Sequence, residues 1–265
     1  MDIAIQDTNI SFKVIDECIE AFNRLEYKPN TFGFINSEIS YSKEITTPTV
    51  MFGGTLLLKL YNKGLLPDNC ILFYDIEKFD QKNYSNNLGH LLLNHNAIYK
   101  KWGEIKDQQI YDKPVFIKPS LDMKMFNGMV ITPALNKTFY SAVAEVSNID
   151  CDLSDDTTVL INHDIIKVIN EYRAFIINNE LIDVGQYVSN YRTQHIKLED
   201  DKLKNDIIEF ITSVQMIYQP YHSYVIDVCE IEDEEGFKIV EYNCLNISGM
   251  YHNDRNKIYK KILEL

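Results

Sequence analysis

The stretch Tyr224–Asn246, YVIDVCEIEDEEGFKIVEYNCLN, constrains the fold more than any other part of the chain. Two apolar runs flank the acidic, Gly-ended linker Asp233-Glu234-Glu235-Gly236, a pattern that predicts a β-hairpin with a loop of several residues. Asp227 and Glu241 stand at equal distances from Glu234 in the sequence. A loop centred on Glu234 therefore brings their carboxylates opposite each other across the strand pair. Asn243 follows Glu241 at strand period and points to the same face. Two acids and an amide carbonyl on one face, set among Val225, Ile226, Val228, Ile239 and Val240, invite two readings. Side-by-side carboxylates repel and are costly to bury unpaired, and a hard divalent cation such as Mg²⁺ resolves that conflict. Otherwise the hairpin is amphipathic and its acidic face is simply solvated.

The rest of the composition narrows the setting. The chain has 265 residues with 45% hydrophobic and 25% charged content, which predicts a soluble globular protein with a sizeable core. A formal net charge of -13 argues against nucleic acid as the main partner. Any anionic ligand must meet a local basic site within an acidic body. The five cysteines are widely spaced with no CxxC, and the histidines form no HExxH. These features fit thiols in a reducing, cytoplasmic compartment and argue against structural zinc. The start, MDIAIQDTN, lacks the features of a signal peptide, and no apolar run approaches a membrane span.

In chain order, Asp2–Ile5 and Thr31–Ile35 read as strands around an amphipathic helix carrying Ile15, Cys18, Ile19, Phe22 and Leu25. Gly53-Gly54 precedes a helix from Leu56; such a pair either opens backbone N–H groups to a ligand or only makes a turn. With an apolar run at Cys70–Tyr74, the alternation predicts a small α/β sheet module ending near residues 80–90. Leu88–Trp102 reads as a linking helix. Val115–Ile117 is a strand that ends in Lys118-Pro119. An ammonium there either meets an anion or snorkels to solvent. The loop Ser120–Met129, with Lys124, Phe126 and Gly128, leads back through Val130 and Ile131, and Lys124 could reach phosphates from it. A helix is expected over Leu135–Val146 and a strand over Thr157–Ile161. A second hairpin, Ile165–Ile177 with Leu181–Tyr191, turns at Asn178-Asn179. On its first strand Glu171 and Arg173 share a face, either as a surface ion pair or as an Arg aimed at a phosphoryl group with Glu171 positioning it. A helix carries Leu203, Ile207, Phe210, Ile211 and Val214. Asp254 is expected to N-cap a final helix, with Arg255 and His252 in the capping turn.

Placed in order, strand-Lys118-Pro119, Lys124-x-Phe126-x-Gly128, Glu171-Tyr-Arg173, Asp227 and Glu241-x-Asn243 resemble the ATP-grasp superfamily, and within it the clade marked by one Arg and two Lys, common in phages, viruses and bacteria. The resemblance covers about Pro114–Tyr251. It implies an α/β (α+β) ATP-grasp fold with three parts: an N-terminal pre-ATP-grasp α/β domain over residues 1–90, a small lid subdomain over 91–162, and a larger C-terminal sheet subdomain over 163–265. It further implies that Lys118 and Lys124 contact ATP phosphates and that Arg173, with Glu171, sits near an acyl-phosphate. Asp227, Glu241 and Asn243 would ligate Mg²⁺, and the strand carrying Leu160, Ile161 and Asn162 would meet adenine. One departure is the single glycine in the 120–128 loop, which leaves the phosphate grip to side chains. The implied activity is carboxylate–amine ligation on small-molecule or peptide substrates. A small-molecule kinase on the same scaffold and a non-catalytic nucleotide-binding protein are the alternatives. Relatives of this kind are often homodimers.

Overall fold

The computed structural model describes the chain except residues 9–11, 36–37, 111, 122–124, 135–136, 148–152 and 197. Among the described residues the strands form three sheets. The first is built from β1 (Asp2–Gln6), β2 (Asn30–Ile35), β3 (Glu38–Tyr41), β4 (Thr49–Phe52) and β5 (Cys70–Ile71), with α1 (Phe12–Arg24) and α2 (Thr55–Asn62) as connections. Its order is β3-β2-β1-β4-β5, parallel except for the β2–β3 hairpin. Ile3, Ala4, Ile5 and Gln6 of the central strand are all buried, as expected where both faces of a parallel sheet are covered. The Gly53-Gly54 pair is a turn. Gly53 N–H donates to the Asn246 carbonyl at 3.0 Å and Gly54 N–H to Gln6 Oε1 at 2.8 Å, so neither group is turned to a ligand.

Two short helices, α3 (Ile76–Phe79) and α4 (Gln81–Leu88), lead to the second sheet. It contains β6 (Ile98–Lys101), β7 (Val115–Pro119), β8 (Met129–Ile131) and β9 (Thr158–Asn162), with α5 (Trp102–Ile105) and α6 (Phe139–Ser147) packed on it. The order is β6-β9-β7-β8, all antiparallel. A helix over Leu88–Trp102 does not form. The chain makes a 3₁₀ turn at Gly89–Leu91 and then strand β6. Leu93 N–H donates to the Ile239 carbonyl at 2.9 Å, so this backbone pairs with a distant strand instead of with itself. The expected Leu135–Val146 helix begins at Phe139; its first two residues, like Lys124, lie outside the described residues.

The third sheet is formed by β10 (Val168–Ile177), β11 (Glu180–Ser189), β12 (Arg192–Ile196), β13 (Tyr224–Ile231) and β14 (Glu234–Asn243), in the antiparallel order β12-β11-β10-β13-β14. Helix α7 (Asp201–Gln215) covers one face and α8 (Arg255–Leu263) lies near the other. The β10–β11 turn is at Asn178 and Asn179, whose φ values of 52° and 65° suit a two-residue hairpin loop. Strand alternation divides the core. Tyr172, Ala174 and Ile176 face one cluster, shared with Ala4, Phe32, Met51 and Ile211. Phe175 and Ile177 face a second, shared with Ile3, Ile5, Phe22, Val50 and Tyr259. The first and third sheets are thus joined by both of their cores. The second sheet has its own, around Trp102, Ile117, Val143, Val159 and Ile161. Cys18, Cys70, Cys229 and Cys244 are free thiols. No helix among the described residues is long and apolar enough to cross a membrane.

Candidate active site

Arg173 is directly opposite Gly185 on one side and Asp227 on the other, and Asp227 is directly opposite Glu241. Gly185, Arg173, Asp227 and Glu241 therefore form one row across four strands. Asn243 pairs with Val225 one alternation further along. This is the face that carries Phe175 and Ile177, so the row is the polar continuation of the second core.

The hairpin reaches this register by an unexpected route. Its turn falls at Glu232-Asp233 rather than at Glu234, since Ile231 pairs with Glu234. Register shifts between Asp227 and Val228 and between Cys229 and Ile231 absorb the difference, and the two carboxylates still meet.

The row is tightly paired. Arg173 donates from Nε to Asp227 Oδ1 at 2.8 Å and from Nη2 to Asp227 Oδ2 at 2.7 Å, a bidentate fork. Its Nη1 donates to the Gly249 carbonyl at 3.0 Å. The guanidinium carbon lies 4.8 Å from the Tyr251 ring centre and 5.5 Å from that of Tyr187, and the two rings stack at 4.9 Å. Burial alone would lower the Arg173 pKa, but Asp227 outweighs it, and the group is held above its ordinary value. Asn243 Nδ2 donates to Asp227 Oδ2 at 3.0 Å, which leaves the Asn243 carbonyl oxygen as its acceptor end. The partner of Arg173 is thus Asp227 and not Glu171. Glu171 instead accepts a hydrogen bond from the Tyr187 hydroxyl.

Gly185 makes room for the loop above this row. A Cβ there would come within 2.9 Å of Asn253 Nδ2 and 3.3 Å of the Asn253 backbone nitrogen. The loop carries Gly249 and Tyr251, and Tyr251 has a φ of 45°, rare for a bulky residue. Asp254 caps α8 by accepting from Asn256 and Lys257 N–H at 3.0 and 3.1 Å. Arg255 reaches Glu17 of α1 at 2.7 Å.

The opposite wall comes from the second sheet. On β7, Val115, Ile117 and Pro119 are buried, while Phe116 and Lys118 alternate onto the other side and line the cleft. Lys118 Nζ lies 2.6 Å from Glu241 Oε2. Gly128 lies against Phe116, where a Cβ would come within 2.8 Å of the ring. The cleft between the sheets has a volume of about 520 Å³, in the range of small-molecule sites. Lys118, Glu171, Arg173, Asp227, Glu241 and Asn243 all line it.

Other expected contacts fall elsewhere. Leu160, Ile161 and Asn162 do not line the cleft; the segment that does is Asp164, Ile165 and Ile166, just beyond β9. Ile161 is committed to the second sheet's own core, and Asn162 is bonded to Asn94. Lys124 lies outside the described residues. Tyr187 and Tyr251 were not apparent from the sequence; their one local signal is that Tyr187 follows Gly185 at strand period opposite Arg173.

Glu171 is the group whose protonation the site perturbs most usefully. Burial raises its pKa, opposed by the Tyr187 hydrogen bond and assisted by the charges of Asp227 and Glu241. A carboxyl with a raised folded pKa binds its proton more tightly when folded. Its contribution to stability is complete below the ordinary carboxylate pKa and is lost as pH rises through the folded value. Glu171→Gln is therefore expected to flatten the fall in stability above about pH 4.5, as read by denaturant midpoints across a pH series. Parallel wild-type and variant curves would show that Glu171 titrates normally.

Among the described residues no group of three or more His, Cys, Asp or Glu gathers as a metal site. The donor set in the cleft is two carboxylates and an amide oxygen, hard donors that suit Mg²⁺ when phosphates and water supply the remaining positions. Solved structures share the fold. D-Alanine-D-alanine ligase from Helicobacter pylori matches with a TM-score of 0.62 at 13% identity, covering 100% of this chain and 98% of its own. The corresponding ligase from Bacillus anthracis gives 0.55 at 12%, covering 100% and 96%. An ATP-grasp RimK domain protein from Sphaerobacter thermophilus gives 0.54 at 12%, covering 94% and 92%. No curated protein matches by sequence. Residues 93–261, more than half of the chain, match the family described as ATP-grasp domain, family 2 of the Arg-two-Lys clade, and the chain belongs to that family.

Proposed function

We propose that the chain is an ATP- and Mg²⁺-dependent carboxylate–amine ligase that forms an amide or peptide bond through an acyl-phosphate. The observation that carries this reading is the ammonium of Lys118, on one sheet, facing the carboxylates of another across a single cleft. The three-part division at residues 90 and 162 belongs to the same proposal, with the middle part as the lid. Structural relatives named as D-alanine-D-alanine ligases join a carboxylate to an amine, which supports this reaction class.

In the proposed reaction a substrate carboxylate oxygen attacks the γ-phosphorus of ATP and ADP leaves. An amine then attacks the acyl carbon, phosphate departs and a proton is released. Asp227, Glu241 and the Asn243 carbonyl would hold Mg²⁺, which when bound offsets phosphate charge. Lys118 would turn from Glu241 to the phosphates, with Lys124 as a second phosphate contact. Arg173 keeps two of its five N–H bonds beyond the three already made, and its rigid fork suits a developing oxyanion.

The test is ADP release by purified protein with Mg·ATP against panels of amino acids and peptides. Turnover should require both a carboxylate and an amine, with one amide formed per ADP by mass spectrometry. A phosphorylated product formed from one substrate without an amine would replace the ligase by a kinase.

A further inference from the structure

Asn94 is 7% exposed and Asn162 is 2% exposed, and the two form a chain of hydrogen bonds whose direction is fixed from one end. The backbone N–H of Asp164 can only donate, and it does so to Asn162 Oδ1 at 3.0 Å. Asn162 Nδ2 must then be the donor to Asn94 Oδ1, at 2.9 Å. That leaves Asn94 Nδ2, which has no hydrogen-bond partner among the described residues, on a side chain that lines the cleft. Neither amide is free to flip, because flipping either would set donor against donor or acceptor against acceptor.

The position of Asn94 indicates which part of a ligand it meets. Its neighbour Leu93 is bonded to Ile239, two residues before Glu241 and on the side away from Asn243. Asn162 pairs with Phe116, two residues before Lys118 on β7. Asn94 is thus at the end of the cleft remote from Asp227 and Asn243, where Leu93, Phe116, Ile165, Ile166 and Val240 give an apolar lining. Flat walls with one fixed donor suit a heteroaromatic ring bearing a nitrogen acceptor.

We infer that Asn94 is the base-reading residue of the nucleotide site, its oriented Nδ2 donating to a ring nitrogen of adenine, with Asn162 as the positioning residue that fixes its direction. This rests on the reading of the cleft as an ATP site. Two isosteric changes reverse the polarity by different routes. Asn94→Asp keeps an acceptor for Asn162 and turns a second oxygen toward the base. Asn162→Asp accepts from both Asp164 and Asn94, so the Asn94 amide rotates and presents its carbonyl to the cleft.

Titration calorimetry of the full chain with ADP, and separately with tripolyphosphate as a probe lacking the base, tests the assignment. Both variants should bind ADP about 10- to 100-fold more weakly than wild type, the loss of one hydrogen bond plus acceptor–acceptor repulsion. Tripolyphosphate affinity should be unchanged. Thermal melts report folding, and Asn94→Asp alone carries the test if Asn162→Asp does not fold. Equal ADP affinities would overturn the assignment while leaving the ATP site standing, as would tripolyphosphate binding weakened as much as ADP. Wild-type protein that binds no ADP would overturn the ATP reading and this inference together.

Discussion

Asp227→Ala is expected to abolish turnover and to destabilise the fold by about 3–5 kcal/mol, the cost of leaving one member of a buried ion pair alone. The side chains of Arg173 and Asp227 are 6% and 1% exposed, so water cannot take the place of the lost carboxylate. Arg173 cannot escape by losing its proton, because a guanidinium stays charged under any folding condition. Its remaining contacts, the Gly249 carbonyl and the faces of Tyr187 and Tyr251, bear only partial negative charge. The melting temperature should fall by roughly 10 °C or more for a chain of this size. Asp227→Asn should fall between wild type and alanine, since it keeps an acceptor for the fork but not the charge. An unchanged unfolding midpoint in Asp227→Ala would mean that Arg173 finds another anion, Glu171 being the nearest candidate on its own strand. The expected loss of activity does not separate a metal-binding role from an Arg-holding one. The stability loss reports the second alone.

How much of this was legible in the sequence depends on how local each determinant is. The Asp227–Glu241 pairing was legible because both strands alternate cleanly, although the turn itself was misplaced. Gly236, at φ 93°, suggested the loop but instead lies within β14. The turn at Asn178-Asn179 was legible because asparagine tolerates positive φ. The equivalent turn before β12, at Asn190 and Tyr191 with φ of 48° and 64°, was missed because tyrosine gives no such signal. Leu88–Trp102 reads as a helix by composition, yet Leu92 and Leu93 are held by Ile239, a contact no local pattern encodes. Asn94 went unseen for the same reason: its meaning comes from Asn162 and Asp164, far along the chain. Glu171 and Arg173 were correctly placed on one face, but same-strand spacing could not rank Glu171 against Asp227 as the partner. Cross-strand opposition decided it, and that requires the register of three strands at once.

Glu241→Ala is expected to lose Mg²⁺-dependent turnover by two orders of magnitude or more, roughly the effect of deleting one preorganised electrostatic group, while changing stability by no more than about 1 kcal/mol. The contrast with Asp227 follows from surroundings, not from residue type. Glu241 is 29% exposed and its partner Lys118 is 12% exposed, and both border the open cleft. An ammonium released there can be solvated or can meet a phosphate, so no buried charge is stranded. Without Glu241 the proposed Mg²⁺ site keeps Asp227, whose oxygens are already engaged by Arg173 and Asn243, and a neutral amide. Glu241→Gln retains one oxygen donor without the charge and should need a higher Mg²⁺ concentration for half-maximal rate. Nucleotide binding without Mg²⁺ should survive in Glu241→Ala, because Lys118 is then relieved of its carboxylate and left to the phosphates. A Mg²⁺ titration of ADP release, beside metal-free ADP binding and a denaturation curve, reads all of these. Wild-type rates in a folded Glu241→Ala protein would remove Glu241 from the mechanism. A stability loss as large as that of Asp227→Ala would mean instead that the Lys118–Glu241 pair holds the two sheets together and that the cleft is not open to solvent in solution.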